Sequence, residues 1–240
     1  MLGLGNSVSA SQYPSGGWTP ANISGLVGWY RFNTGLQKSG GAFPSDGDGV
    51  TQWDDASGQG NHGTKTSALS NYNATLKSPE FGGASDSLLI PQLDLEEFAI
   101  YVRIRFTDST INNGDILIQD DDTTGNFFRI QTTTSVRVKI GNSAAKNYTL
   151  HSSTTLVANT YYILGLERQT DGEVFSYLDG TANGSSQTIA FGGSPSRNLL
   201  LDEIKGGNNA IVSEVVIANN SLSDGDRAEL TTWMAAENEG

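Results

Sequence analysis

Short stretches in which apolar and polar residues alternate recur along the chain, separated by clusters of Gly, Ser, Thr, Asn and Asp. In one stretch Ile100, Val102 and Ile104 alternate with Tyr101 and Arg103, as expected for a strand with one apolar and one mostly polar face. On this pattern we predict strands at residues 26–32, 50–53, 87–90, 98–106, 115–119, 126–132, 135–140, 147–150, 161–168, 173–178, 188–191 and 210–218.

So many short strands with little helical periodicity predict an all-β fold, an antiparallel sandwich of two sheets. The Asp179-Gly180 dipeptide fits a tight hairpin, where positive φ is needed. The one helix that we predict covers residues 223–236, where Ser223 or Asp224 can cap it and Trp233 would dock it on a sheet. Residues 1–25 are rich in Gly, Ser and Pro and predict an extended N-terminal arm, and residues 26–240 predict one domain.

Composition excludes several classes of partner. The chain has 14 Lys and Arg against 26 Asp and Glu, a formal net charge of -12, so we expect repulsion of a polyanion and no nucleic-acid partner. The absence of Cys excludes disulfides and thiolate metal sites. The first residues lack a secretory signal pattern and no apolar stretch reaches membrane-spanning length, so we expect synthesis in the cytoplasm and no membrane partner.

Three blocks of sequence carry a family resemblance. They are Leu-Val-Gly-Trp-Tyr-Arg-Phe-Asn-Thr-Gly at 26–35, Val-Thr-Gln-Trp-Asp-Asp-Ala-Ser-Gly-Gln-Gly-Asn-His-Gly at 50–63 and Phe-Gly-Gly-Ala-Ser-Asp at 81–86. In this order they resemble the laminin-G-like branch of the concanavalin A-like lectin/glucanase superfamily. Segments 161–167, 175–180 and 211–224 are similar to the closing strands and terminal helix of that branch. The resemblance implies a jelly-roll sandwich with an N-terminal arm and a short C-terminal helix.

Enzymes of this superfamily that cleave β-glucans carry acidic residues at alternate positions of one strand, because a general acid and a nucleophile must face the same bond. The nearest approach here is Glu96 beside Glu97, and neighbours in a strand point to opposite faces. The two histidines, His62 and His151, are too few for a multi-histidine metal site. We therefore expect no enzymatic activity, and glycoside hydrolysis is the least favoured hypothesis.

Loop clusters of Asp and Asn are candidate calcium ligands, since this cation prefers carboxylate, amide and backbone oxygens. Besides Asp46 with Asp48 and the run 120–122 with Asn126, one cluster lies in the second block of resemblance. In the family, the loop after the Trp-x-Asp strand often lies near a cation, so the resemblance selects Asp54, Asp55 and Asn61. The same residue types also form Asx turns, and this alternative stays open.

Aromatic residues divide into two groups. Trp29 and Trp53 fall within predicted strands, and we expect them in the core. Four others lie in polar or loop contexts and are predicted to be exposed contacts for a partner: Tyr13, Trp18, Tyr72 and Tyr148.

Domains of this superfamily are scattered through bacterial surface proteins and the structural proteins of tailed phages, and the signal-less opening is more similar to the phage proteins. The resemblance therefore implies a non-enzymatic virion protein, with a capsid decoration (cement) protein on the head exterior as the first hypothesis. Its partners would be the major capsid protein and further copies of itself. The alternative is a carbohydrate-binding or receptor-binding module of a tail fibre, with glycans as its ligands.

Overall fold

The computed structural model describes residues 17–65, 70–83, 85–109, 111, 115–120, 125–141, 144–149, 155–189, 198–207 and 209–236. The predicted N-terminal arm is thus described only from residue 17 onward. After a 3₁₀ turn at Pro20–Asn22, the described residues form β1 (Leu26–Tyr30), β2 (Leu36–Gln37), β3 (Gln52–Trp53), β4 (Gly63–Thr64), β5 (Asn71–Asn73), β6 (Ser78–Phe81), β7 (Ser87–Leu95), β8 (Phe98–Phe106), β9 (Ile116–Gln119), β10 (Phe127–Thr132), β11 (Ser135–Lys139), β12 (Lys146–Thr149), β13 (Tyr161–Arg168), β14 (Glu173–Leu178), β15 (Thr181–Thr188), β16 (Leu199–Lys205), β17 (Ala210–Ala218) and α1 (Asp224–Ala236).

These strands form two antiparallel sheets. An eight-stranded sheet has the order β15-β14-β13-β8-β17-β6-β5, with β1 also paired to β17, and a nine-stranded sheet has the order β12-β11-β10-β9-β16-β7-β4-β3-β2. The prediction of an all-β, two-sheet antiparallel sandwich with a short C-terminal helix is confirmed. In the described part of the chain, α1 is the one α-helix, and it is neither long nor apolar enough to cross a membrane.

The main core lies between the two sheets. Alternate residues of β8, such as Ile100 and Val102, point into it from the eight-stranded sheet, and Phe128 and Val138 do so from β10 and β11. All four side chains are fully buried, with 0% exposure. The alternation read from the sequence therefore locates this core correctly, because a sheet buries every second side chain of a strand. Trp53 lies in this core as predicted.

Strand positions were predicted with mixed success. Strands β8, β13, β14 and β17 occupy the predicted residues. The Asp179-Gly180 turn returns the chain at once and pairs Leu178 with Thr181 in a hairpin, as its sequence predicts. Of the strand predicted at 188–191, Thr188 ends β15, Ile189 lies outside the strand, and residues 190 and 191 lie outside the described residues. Strand β15 (Thr181–Thr188) carries few apolar residues and was not predicted, because its residues show no alternation.

The outward face of the eight-stranded sheet, which we name the covered face, lies under the helix. Ala99 and Tyr101 of β8 pack there with Ile163, Trp29 and Trp233 in a second apolar cluster. The expectation of a mostly polar face on β8 is therefore wrong, because α1 and the segment before β1 exclude water from it. Trp233 docks the helix on the sheet as predicted, with 6% of its surface exposed.

A buried ion pair ties the helix to the covered face. Glu167 of β13 accepts hydrogen bonds from Arg227 Nε at 2.8 Å and Arg227 Nη2 at 3.0 Å, and also from the Tyr101 hydroxyl. Burial, together with the charge of Glu167, raises the pKa of Tyr101 well above its usual value. Burial acts to lower the pKa of Arg227, but its hydrogen bonds to Glu167 and the charge of that carboxylate raise it above its usual range. Arg227 therefore stays charged where helix α1 meets the sheet.

A second carboxylate joins the two ends of the described chain. Glu214 of β17 accepts a hydrogen bond from the Trp29 indole at 2.7 Å and another from the Trp233 indole at 3.1 Å. Arg31 lies over both indole rings, 5.5 and 5.6 Å from their centroids. Strand β1 and helix α1 are thus fixed to the same point of the covered face.

Candidate binding surface on the nine-stranded sheet

The outward face of the nine-stranded sheet, which we name the open face, carries a continuous row of cross-strand neighbours. Its members come one from each of eight adjacent strands, and most are polar: Gln37, Gln52, Thr64, Leu89, Glu203, Gln119, Phe127 and Lys139. The residues next to them along the strands, such as Trp53 and Phe128, point into the core. The row therefore faces away from the core, and neither apolar cluster of the described residues covers it.

The centre of the open face holds an ion pair. Glu203 accepts a hydrogen bond from the Gln119 amide, and the Lys205 ammonium lies 3.4 Å from its carboxylate. Glu203 and Lys205 are 6% and 7% exposed, so the strands and neighbouring side chains shield this pair although it lies on the outward face. The Glu203 carboxylate is thus already engaged by the Lys205 ammonium and the Gln119 amide.

One end of the open face is bordered by the loop between β3 and β4, from the most specific block of the family resemblance. The amides of Gln37 and Gln52 both donate to Asp54. The backbone N–H of Asp55 donates to Nδ1 of His62 at 3.1 Å, so this nitrogen carries no proton in the observed arrangement. The contact of His62 with Asp54, at 3.5 Å, is then not an ion pair made through that nitrogen. Amide, carboxylate and imidazole groups thus lie together at this edge.

The residues predicted as calcium ligands lie in a turn whose carboxylates already accept hydrogen bonds. Asp55 is 8% exposed, and its carboxylate accepts from the backbone N–H groups of Trp29, Ser57 and Asn61 and from the Ser57 hydroxyl. Asp54 is directed elsewhere, toward Gln37 and Gln52. Over the ranges that the model describes, no three His, Cys, Asp or Glu side chains are grouped to hold a metal ion. The geometry favours the Asx-turn alternative for this loop.

Two of the four aromatic residues predicted to be exposed are buried. Tyr72 is 6% exposed and its hydroxyl bonds to Asn33, and Tyr148 is 2% exposed because its cross-strand partner Val136 faces the core. The prediction of exposure is wrong for both. Trp18 is partly exposed and packs against the cluster on the covered face, and Tyr13 lies outside the described residues.

The acidic pair singled out for hydrolysis lies at a sheet edge. Glu96 and Glu97 form the two-residue connection between β7 and β8, and the carbonyl of Glu96 accepts a hydrogen bond from Arg168 at 3.2 Å. The connection places these residues in a hairpin turn and not on a strand face, where a general acid and a nucleophile could converge.

The other end of the open face carries two arginines that sequence reasoning missed. Arg129 of β10 and Arg137 of β11 are direct cross-strand neighbours, and Asn147 of β12 follows in the same row. Arg129 lies over the Phe127 ring, 4.6 Å from its centroid. The sequence signal was incomplete, because the two-residue turn that joins the predicted strands at 126–132 and 135–140 would by itself set Arg129 opposite Val138. An irregularity between Ile130 and Thr132 shifts the register and sets Arg129 opposite Arg137.

Comparison with known proteins supports the fold. No protein-family model and no curated protein sequence matches the chain. Solved structures do match it. Trypanosoma rangeli sialidase in complex with sialic acid has a TM-score of 0.60 at 14% identity over 92% of this chain and 35% of its own. A structure describing cell entry of botulinum neurotoxin type C through two ganglioside molecules has a TM-score of 0.58 at 12% identity, over 90% of this chain and 53% of its own.

These identities show a shared fold alone. The chain has a jelly-roll sandwich fold like these structures, and it spans about a third of the sialidase chain and half of the toxin chain.

Proposed function

We propose that this chain is a non-enzymatic structural protein of a tailed-phage virion, a decoration protein on the capsid exterior. The observation that supports the proposal is the difference between the two outward faces of the sandwich. Helix α1 packs on the covered face, and neither apolar cluster of the described residues covers the open face. The family resemblance supports the virion context, since laminin-G-like domains of this kind occur among the structural proteins of tailed phages.

The segment before β1 defines which side would be attached. Ile23 is 4% exposed in the apolar cluster on the covered face, and Trp18 packs against the same cluster. The residues before position 17 therefore join the domain on this side. If they bind the capsid lattice or a neighbouring copy, the open face on the opposite side of the sandwich is presented outward. Repeated copies on a lattice would add affinity through avidity.

Deletion of residues 1–16 tests this proposal while keeping Trp18 and Ile23. The shortened protein is added to particles that lack the protein, and binding is measured by co-sedimentation beside the full chain. We expect loss of particle binding with an unchanged melting temperature. Undiminished binding would overturn the role of the arm, and a cryo-EM map with a few copies on the tail alone would overturn the capsid location.

A second candidate function is carbohydrate binding by the open face. It is favoured by the amide and aromatic side chains in the row of cross-strand neighbours, the residue types with which proteins hydrogen-bond and stack on sugars. The sialidase above was solved with sialic acid, and the toxin depends on gangliosides for cell entry. A glycan array distinguishes the two candidates. Glycan binding that is lost in Gln52→Ala supports carbohydrate binding by the open face, and an array without hits refutes it.

A further inference from the structure

We propose that Arg129 and Arg137 form a binding site on the open face for the carboxylate or sulfate group of an acidic saccharide. The proposal deepens the carbohydrate-binding candidate and rests on it for the sugar part of the ligand. It does not depend on the virion role.

The arrangement of the two guanidinium groups carries the inference. Side chains that lie directly opposite on antiparallel strands have Cβ atoms about 5 Å apart, and like charges in that position destabilise a sheet. The register pairs Arg129 with Arg137 in this way. Burial, together with the positive charge of Arg137, lowers the pKa of Arg129. An anion between the two groups would remove this repulsion.

The hydrogen bonding of the pair is incomplete. The Nε atoms of both arginines are shielded from water and donate to no acceptor. Arg137 Nη1 lies 3.4 Å from the amide oxygen of Gln131, and none of the ion pairs in the described ranges includes either arginine. A buried donor without a partner costs about 1–3 kcal/mol, and here two such donors belong to residues directly opposite each other in the sheet.

In a chain rich in acidic residues, most arginines are expected to find a carboxylate partner. Acidic residues outnumber basic ones, 26 against 14, yet neither arginine has a carboxylate partner in the described ranges. The Arg129 guanidinium is held in place by the Phe127 ring beneath it. Planar guanidinium groups match carboxylate and sulfate oxygens with paired hydrogen bonds, so the pair suits one such group.

The net charge of -12 limits the kind of ligand. At physiological ionic strength a charge is screened over about 8 Å, so distant carboxylates do not cancel an attraction at contact distance. They do repel a long chain of closely spaced charges. The proposed ligand is therefore a saccharide with isolated charges. Asn147, exposed beside Arg137 in the same row, is placed to bond its hydroxyl groups.

The first experiment tests the anion site by itself. The melting temperature and the binding isotherm of the full chain are measured with sodium sulfate against sodium chloride at equal ionic strength. We expect sulfate to bind and stabilise the wild type, and to bind about tenfold more weakly to Arg129→Gln and Arg137→Gln, since each loses charged hydrogen bonds. Arg105→Gln removes the same charge from the eight-stranded sheet and serves as the matched control.

The second experiment tests the sugar. Sialyllactose, which carries a single carboxylate, is compared with its methyl ester, which lacks the negative charge, and a disaccharide with one sulfate group separates sulfate from carboxylate recognition. We expect the acid to bind about tenfold or more tightly than the ester, with the difference lost in Arg137→Gln. Equal sulfate binding by the wild type and both variants overturns the site. Sulfate binding without any acidic saccharide binding keeps the anion site and refutes the carbohydrate ligand, whatever the outcome for particle attachment.

Discussion

The two outward faces of this sandwich are built from strands with the same alternating pattern and have opposite surroundings. On the covered face, Tyr101 of β8 is 0% exposed because helix α1 and the segment before β1 pack in the same apolar cluster. Arg103 is 1% exposed and lies against the Tyr161 ring. On the open face, Arg129 and Arg137 keep partial exposure. The comparison teaches that alternation identifies the core face of a strand reliably, whereas the environment of the other face depends on what packs there.

The polar groups of the two faces also differ in how they are satisfied. Glu167 on the covered face has four donors, from Arg227 twice, from Tyr101 and from the backbone of Leu222. The arginine pair on the open face has two unpartnered Nε atoms. A satisfied network stabilises a fold, and an unsatisfied one at a surface is available to a ligand. The predictions below test this division.

The largest effect is expected from Arg227→Ala. It leaves Glu167 as an uncompensated buried charge, which should lower the free energy of unfolding by about 3–5 kcal/mol in urea denaturation. Asp224 also contacts Arg227, at 2.6 Å, but its side chain is fully exposed, so Asp224→Ala should cost a small fraction of that amount. Equal losses in both variants would contradict the role given to the buried pair.

Asp55→Ala tests the loop that borders the open face. The substitution removes the acceptor of four hydrogen bonds, and we expect a loss on the order of 2–4 kcal/mol because the donors become unsatisfied. A chelator should leave the melting temperature of the wild type unchanged, since the carboxylate is engaged in a turn. A fall in melting temperature on chelation would instead restore calcium to this loop.

Gly165→Ala tests the tight packing of the covered face. A Cβ at this position would lie 2.4 Å from a Tyr101 ring carbon, so the ring must shift and we expect a loss of about 1–3 kcal/mol. Gly83 has no atom within 4 Å of such a Cβ, and Gly83→Ala provides the control. Similar melting temperatures for the two variants would show that the covered face is less rigid than its packing indicates.

A smaller loss is expected at the start of the covering helix. The Ser223 hydroxyl accepts the backbone N–H of Asp226 at 3.0 Å, so Ser223→Ala should cost about 1 kcal/mol. Thr232 is exposed in the same helix and bonds within it, and Thr232→Ala should cost nothing measurable. Thermal unfolding of both variants checks the difference, which should be absent if the helix were held by its packing alone.

The smallest effect is expected from Arg137→Gln without ligand. Because the substitution removes repulsion from Arg129, stability should change by less than about 0.5 kcal/mol, with a slight gain at low salt that fades as salt rises. Melting temperatures at two sodium chloride concentrations test this. A loss above about 1 kcal/mol would mean that the pair stabilises the fold and is not kept for a ligand.

The sequence allowed the two-sheet architecture to be predicted, because local alternation indicates where strands lie and turn residues indicate where they end. Strand β13 and helix α1 were predicted correctly for this reason, the helix through its Ser223 cap. The burial of Tyr101 was not predictable locally, since its cover comes from residues more than a hundred positions later in the chain, such as Leu222 and Arg227. Tyr148 was misjudged because its direction depends on the register of β12 against β11.

For the candidate site, the sequence identified the loop with Asp54 and Asp55 and left its ligand open, since Asp serves a turn and a cation equally well. The arginine pair was not predictable from the turn alone, because the irregularity between Ile130 and Thr132 sets the register. Its lack of a carboxylate partner among the described residues became visible only when the sheet was assembled.

The clamp formed by Glu214 has a consequence for how this domain can be joined to others. Because its two indole partners belong to the first strand and to the final helix, the described chain begins and finishes on one side of the sandwich. A domain with neighbouring ends can be placed within, or appended to, another polypeptide with little disturbance of either fold. A fluorescent or affinity tag joined at residue 17 or residue 236 should therefore leave the open face accessible, which makes the domain suited to oriented immobilisation.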